Sequence, residues 1–228
     1  MLADTFYRIF LEEERYKIYL MGLGNTLCIA VGACILGFLL GSVVALLRIA
    51  PKNNIVIKIF DYIANLYVTV IRGTPVVLQL LIMYFVVLQF MNNIWEGVLV
   101  AIITFGLNSG AYMSEILRAG IEAVDKGQME AGRSLGFTWG QTMRKIVLPQ
   151  GIKNALPTIF NEFIMLIKET SVAGYVAIVD LTKAARNVTS RTFEVFGPLL
   201  IVAIIYLILV LGLQQIQKIM ERRMKQGD

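Results

Sequence analysis

The stretch that decides the fold is residues 18–47, IYLMGLGNTLCIAVGACILGFLLGSVVALL, thirty residues without a charged side chain. A helix rises about 1.5 Å per residue, so this run is longer than the roughly 30 Å apolar core of a bilayer requires. The whole chain is 57% hydrophobic and only 16% charged, whereas soluble domains carry about 25% charged residues. The sequence therefore predicts an all-α polytopic membrane protein of one domain, residues 1–228.

Four further spans are predicted from later apolar runs. They cover residues 73–95, a stretch starting near Trp95 that is charge-free over 97–114, residues 154–177 and residues 195–217. The second run must turn at Asn92 and Asn93. The fourth run is the least hydrophobic, because it contains Glu162 and the pair Lys168 and Glu169. Within the first run, Gly37 and Gly41 form a small-xxx-small pair that lets a neighbouring helix approach closely.

Five spans place the two termini on opposite sides of the membrane. With the N-terminus outside, fourteen of the 21 basic residues fall in cytoplasmic segments, which is the orientation that the positive-inside rule favours. The net charge of +5 then reflects basic loops facing an anionic leaflet and requires no nucleic-acid partner. Residues 1–17 mix charged and aromatic side chains and are predicted to lie at the membrane interface.

The chain lacks the usual equipment of metal sites and of most enzymes. It contains no histidine, which is the commonest general base and metal ligand. Its two cysteines, Cys28 and Cys34, both lie in the first apolar run, without metal-ligand spacing, and are interpreted as small packing residues. We therefore expect no metal, no cofactor and no catalysis in this chain.

The cytoplasmic segment 121–149 is too polar for a span and is patterned like a helix with defined ends. Asp125 with Gln128 can cap a short helix that Gly136 ends. Thr138 with Gln141 forms a second capping-box pattern before the next helix.

The short helix between these two stops has about two turns. Ala131 and Leu135 fall on one of its faces, with Glu130 and Arg133 beside them. Such a helix suits insertion into a groove on a partner protein; the alternative is a surface helix packing on its own domain.

The same segment resembles the EAA loop of ABC-importer permeases, E-A-A-x-x-x-G-x9-I-x-L-P. The matching residues are Glu130-Ala131-Gly132, Gly136 and Ile146-Val147-Leu148-Pro149. Gly132 stands where the family usually has alanine, which weakens the helix by up to about 1 kcal/mol. Further segments resemble the polar amino-acid uptake branch of that family, namely Arg72-Gly73-Thr74-Pro75, residues 111–118, Gly127-Gln128, Pro149-Gln150 and Lys168-Glu169-Thr170-Ser171.

This resemblance implies a permease subunit in the bacterial inner membrane. An extracytoplasmic binding protein would deliver substrate to a dimer of this chain with a second copy or a paralogue. Two ATP-binding cassette ATPase subunits, holding ATP and Mg, would drive the transport, since this chain has no G-x-x-x-x-G-K-[ST] phosphate loop. The residues implied in ATPase coupling are Glu130, Ala131, Gly132, Arg133, Ser134, Leu135, Gly136 and Phe137.

Polar residues at helical spacing in the third and fourth spans indicate where a substrate binds. Ionisable groups inside a span usually face a bundle interior or a wet cavity. Glu162 suits a cationic group of an amino acid, which favours basic amino acids over glutamine, and Asn161 or a hydroxyl suits the carboxylate. The substrate candidates are Glu162, Asn161, Thr158, Met165, Asn108, Tyr112 and Lys168.

Other interpretations remain for these residues and for the chain. The polar groups could only pair with each other and fix helix packing, which is the favoured interpretation for Glu115 with Arg118 and for Lys168 with Glu169. An ion-coupled secondary transporter is the alternative function, although the two halves show no convincing internal repeat. A membrane-embedded enzyme lacks its usual motifs, and a purely structural role leaves the polar stripes unexplained.

Overall fold

The computed structural model describes residues 4, 6–87, 97–176 and 178–226, and these are helical almost throughout, with no strand. The prediction of an all-α chain is confirmed. Shorter π or 3-10 turns lie at Tyr7–Leu11, Glu12–Glu14, Met83–Val87, Met143–Val147 and Thr170–Val176. The helices are α1 Tyr16–Ile49, α2 Ile55–Arg72, α3 Val76–Ile82, α4 Gly97–Glu122, α5 Lys126–Ser134, α6 Trp139–Thr142, α7 Leu148–Glu169, α8 Leu181–Thr192 and α9 Phe196–Gln226.

Three of these helices, α1, α4 and α9, are long and apolar enough to cross a membrane. A fourth span results if α2 and residues Val76–Val87, joined by a sharp bend, count as one broken span. Helix α2 is not among the predicted spans, because Lys58 and Asp61 interrupt its apolar run. The predicted turn at Asn92 and Asn93 lies outside the described residues. Five spans and their orientation stay predictions, as does the interfacial role of residues 1–17.

The chain folds as two compact units, of which the first comprises Met1–Ile35, Thr74–Gly106 and Phe163–Ile216. In this unit the Asn25 side chain of α1 donates to the Val179 carbonyl at 2.9 Å, and Thr26 Oγ1 accepts from the Leu181 N–H at 3.2 Å. Cys34 packs against the core, whereas Cys28 is exposed, so the packing interpretation fits Cys34 alone. The main core is formed by Ile29, Ala33, Leu80, Ala101, Phe105, Leu166, Ala173, Val176 and Ile178.

Asp180 fixes the start of α8 in the same unit. Its carboxylate accepts the N–H groups of Thr182 at 2.8 Å and Lys183 at 3.1 Å, which satisfies donors that have no partner inside the helix. Burial raises the pKa of this carboxyl above its ordinary value, and the N–H bonds oppose the rise.

The second unit comprises Leu36–Gly73, Leu107–Glu162 and Gln217–Asp228. Here α1 and α4 approach closely at the predicted glycines. A Cβ on Gly37 would lie 2.8 Å from the Cβ of Ser109, and one on Gly41 would lie 2.5 Å from the Cβ of Met113. The two helices therefore meet backbone to backbone, which only small residues allow. The prediction of a close helix contact at Gly37 and Gly41 is confirmed.

A cluster of charged side chains ties α1 to α4 in this unit. Glu115 pairs with Arg48 and, at 2.7 Å, with Arg118. Arg118 also pairs with Glu122 at 2.7 Å, and Arg48 reaches the side-chain oxygen of Asn65 at 3.2 Å. The predicted pairing of Glu115 with Arg118 is confirmed.

Candidate functional site

The polar segment 121–149 folds with the predicted stops. The Asp125 side chain accepts the N–H of Gly127 at 2.6 Å and caps α5. Gly136 has a φ of +85°, a left-handed conformation that favours glycine and ends the helix. The capping box of Thr138 and Gln141 is complete: the Thr138 N–H donates to Gln141 Oε1 at 2.8 Å, and the Gln141 N–H donates to Thr138 Oγ1 at 3.3 Å.

An apolar cluster in unit 2 holds this segment in place. Ile121, Val124, Met143 and Val147 are buried together, and Met129 of α5 packs against them. Trp139, Leu148 and Ile49, the last residue of α1, border the same cluster. Helix α5 is thus fixed to the end of a predicted span and is not a free loop.

Gly132 is where the backbone of α5 packs most closely against the rest of the segment. It is the buried residue of the helix, and a Cβ there would lie 2.4 Å from Cγ2 and 2.9 Å from Oγ1 of Thr142. Thr142 is fully buried and donates to the Thr138 carbonyl at 3.0 Å. The glycine that departs from the family pattern is therefore needed for close packing here.

The opposite side of α5 faces away from the chain. Leu135, directly after the helix, is 76% exposed although it is a large apolar residue. Glu130, Ala131, Arg133, Ser134 and Gly136 are exposed as well, and Phe137 is half-buried. Arg133 donates to the Phe137 carbonyl at 3.1 Å, which stabilises the turn after the helix. The arrangement leaves the apolar side chain of Leu135 exposed beside charged neighbours.

Glu162 of α7 contacts α4 in unit 2, at the residue next to the candidate Asn108. Ser109 of α4 donates to Oε1 of Glu162 at 3.1 Å, and the neighbouring Asn108 is buried. Ser109 is absent from the predicted set, because a lone serine in an apolar run carries no signal of its own. The structure thus brings Glu162 beside the polar stripe of α4.

The remaining candidates on α7 share an exposed face. Thr158 and Asn161 are exposed in unit 2. Met165 and Lys168 continue the same helical spacing and are also exposed, but they belong to unit 1. Glu162 lies at the edge of this face and is half-buried.

Tyr112, the last candidate, contacts a residue that the predicted site set does not contain. The guanidinium carbon of Arg72 lies 5.1 Å from the centroid of the Tyr112 ring, within cation–π range. Both residues belong to unit 2. In the sequence, Arg72 directly precedes the apolar run 73–95 and begins the segment Arg72-Gly73-Thr74-Pro75, which resembles the polar amino-acid uptake branch.

Comparison with known proteins decides the family. A family model described as "Binding-protein-dependent transport system inner membrane component" matches residues 37–226. The chain belongs to this family. The permease fold therefore explains the apolar helices, and the prediction that the chain resembles ABC-importer permeases is confirmed.

Two relatives match the permease over most of both chains. The arginine transport system permease protein ArtQ of Bacillus subtilis (strain 168) is 41% identical over 92% of this chain and 93% of the relative. The putative glutamine transport system permease protein GlnP of Rickettsia typhi is 39% identical over 87% and 89%.

Two solved structures share the fold of the permease. A crystal structure of an amino acid ABC transporter with histidines superimposes with a TM-score of 0.85 and 37% identity, over 94% of this chain and 98% of the other. The MetNI methionine ABC transporter superimposes with a TM-score of 0.78 over 91% and 96%, but at 20% identity this likeness concerns the fold alone. The roles of the individual coupling and substrate candidates stay predictions.

Proposed function

We propose that the permease is the membrane-spanning subunit of an ATP-driven amino-acid importer. The observation that carries the proposal is α5, a short helix anchored at Gly132 with Leu135 exposed beyond it, inside a chain of the transport family. Its partners are two ATP-binding cassette ATPase subunits with ATP and Mg, an extracytoplasmic binding protein, and a second copy or a paralogue. It resides in the bacterial inner membrane.

The proposed topology has five spans with the N-terminus outside and the C-terminus inside. The spans are α1, the broken pair α2 and Val76–Val87, then α4, α7 and α9. Helix α7 has 22 residues and is about 33 Å long, enough to cross the apolar core. Its exposed polar face cannot face lipid at low cost, which supports a water-filled path on that side.

The proposed coupling mechanism follows from the anchoring of α5. Closure of the ATPase dimer pushes on the exposed side of the helix, which carries Ala131 and Leu135. Because Gly132 packs against Thr142, and Met129 packs against the apolar cluster, displacement of α5 is transmitted to α7 through Val147 and Leu148. A loosely attached helix would move under the same force without displacing α7.

Substitutions on the exposed side test this coupling. Glu130→Arg reverses an exposed charge, and Gly136→Pro imposes a φ near −65° where the chain needs +85°. Both variants should fold and hydrolyse ATP with the partner but transport poorly. Gly140→Ala, an exposed position of the same segment with open space for a Cβ, serves as the matched control. Variants that retain the ATPase and transport at the wild-type rate would contradict the role of the loop.

The proposed substrate is a polar amino acid, with basic ones favoured over glutamine. Glu162 supplies the negative charge for a cationic group, and its contact with Ser109 orients the carboxylate. The names of the relatives, arginine and glutamine permeases, agree with a polar amino acid. Uptake by Glu162→Gln in proteoliposomes tests the role of the charge; unchanged affinity and rate would rule it out.

A further inference from the structure

Arg72 is a charged residue without a carboxylate partner among the described residues. It is the last residue of α2, its side chain is exposed, and the Tyr112 ring lies at 5.1 Å from its guanidinium carbon. The ring holds the cation by cation–π attraction but satisfies none of its five N–H donors. The guanidinium is therefore positioned and still able to donate hydrogen bonds.

The depth of Arg72 follows from its contact with α4. Tyr112 lies fifteen residues after the start of α4 and ten before its end, about 22 and 15 Å along the helix. In the proposed topology this is the middle region of the membrane. A cation exposed at this depth is costly against lipid, so it faces protein or a wet cavity, as functional intramembrane charges do.

The course of the backbone around Arg72 also supports a binding site at this position. Helix α2 ends at Arg72, and the next helix begins at Val76 after a sharp bend. Transporters build their central binding sites from such interrupted helices.

A carboxylate lies against α4 near Tyr112. Asn108 is one helical turn from Tyr112 on α4, and the neighbouring Ser109 donates to Glu162 of α7 at 3.1 Å. All of these residues belong to unit 2. Unit 2 thus contains a cation held at an aromatic ring of α4 and a carboxylate bound at a neighbouring turn of the same helix.

We infer that Arg72 binds the α-carboxylate of the transported amino acid, while Glu162 binds its cationic side chain. The inference rests on the proposed function and assigns the carboxylate end of the substrate to one residue. The planar guanidinium matches a carboxylate with two parallel N–H bonds. Tyr112 is a positioning residue, because it acts through Arg72.

Ligands that lack one end of arginine test the two poles separately. The probes are arginine, argininamide, which has no carboxylate, and citrulline, which replaces the guanidinium by a neutral urea of the same shape. Binding to the purified permease–ATPase complex is measured by calorimetry without the binding protein. The wild type should bind arginine at least about tenfold more tightly than either analogue, since one charge-assisted hydrogen bond contributes about that factor.

The variants should lose one discrimination each. Arg72→Gln should bind arginine and argininamide with equal affinity but still bind citrulline more weakly. Glu162→Gln should bind arginine and citrulline with equal affinity but still bind argininamide more weakly. Arg72→Lys keeps the charge without the planar fork and should retain part of the carboxylate preference. Tyr112→Phe keeps the ring and should behave as the wild type, whereas Tyr112→Ala should resemble Arg72→Gln.

Two outcomes overturn the inference in distinguishable ways. If Arg72→Gln, or Arg72→Lys where the former does not fold, keeps the full wild-type preference for arginine over argininamide, the assignment of Arg72 is wrong while the proposed function stands. If the wild-type complex neither binds nor imports any amino acid, the proposed function fails and the inference fails with it. Thermal unfolding and ATPase co-purification confirm that each variant is folded.

Discussion

The backbone of Gly132 packs directly against the side chain of Thr142: a Cβ on Gly132 would lie 2.4 Å from Cγ2 of Thr142. Gly132→Ala should therefore destabilise the segment, although alanine is the better helix former. Overpacking costs about 1–3 kcal/mol and helix propensity returns up to about 1 kcal/mol. A lower midpoint of thermal unfolding of the permease–ATPase complex and a reduced ratio of transport to ATP hydrolysis are expected.

Thr142→Ser is the matched control for this contact. It removes Cγ2 but keeps the hydroxyl that donates to the Thr138 carbonyl. In the Gly132→Ala background it should restore most of the lost stability. A double variant no more stable than Gly132→Ala would show that the contact is not the cause.

Gly41 predicts a position-specific effect within a single helix. Gly41→Ala brings a Cβ to 2.5 Å from the Cβ of Met113 and 2.9 Å from the Gly110 carbonyl oxygen, and neither atom can rotate away. Overpacking of this kind costs about 1–3 kcal/mol. Gly24→Ala in the same helix meets nothing within 4 Å and should cost nothing. Thermal unfolding that is equal for the two variants would contradict the contact between α1 and α4.

Gly136 predicts an effect of the backbone alone. No atom lies within 4 Å of a Cβ at this position, but its φ is +85°, so Gly136→Ala should cost about 1–2 kcal/mol. Gly136→Asn should cost less, because asparagine adopts this conformation more readily. Gly140→Ala, which has open space and no positive φ, is the control. The midpoint of thermal unfolding should be lowest for Gly136→Ala, higher for Gly136→Asn and highest for Gly140→Ala. This order would support the left-handed conformation of Gly136 as the end of the helix.

Substitution of Glu115 should lower the stability of the permease without changing its substrate preference. Glu115→Gln leaves Arg48 without a carboxylate and removes one of the two carboxylate partners of Arg118, at side-chain exposures of 14% and 30% for the two arginines. The cost should fall between the about 1 kcal/mol of an exposed pair and the about 3–5 kcal/mol of a broken buried pair. The ratio of arginine to glutamine uptake should stay at the wild-type value; a changed ratio would place Glu115 in the substrate path.

The sequence predicts well those features of this fold that depend on local signals. Apolar runs indicate the helices, and small residues four apart, Gly37 and Gly41, mark the close contact with α4. The stops of α5 at Asp125 and Gly136 follow from capping chemistry, which acts over three or four residues. Each of these signals is local, so a single sequence is enough to detect it.

The features missed by sequence reasoning depend on neighbours that are distant in the chain. Helix α2 carries Lys58 and Asp61, so a charge-free criterion passes over it. The contact of Arg72 with Tyr112, forty residues later, cannot be read from the sequence, and neither can the contact of Ser109 with Glu162. The need for glycine at 132 is equally hidden, because it depends on the position of Thr142.

The most direct test of the central claim is uptake of labelled arginine into proteoliposomes that contain the permease, its ATPase and the binding protein. Uptake should require ATP on the ATPase side, persist when proton and sodium gradients are dissipated, and fall at least about tenfold in Leu135→Asp, which places a charge on the exposed apolar residue directly after α5. Uptake that proceeds without ATP and stops when the ion gradients are removed would contradict it and identify an ion-coupled transporter instead.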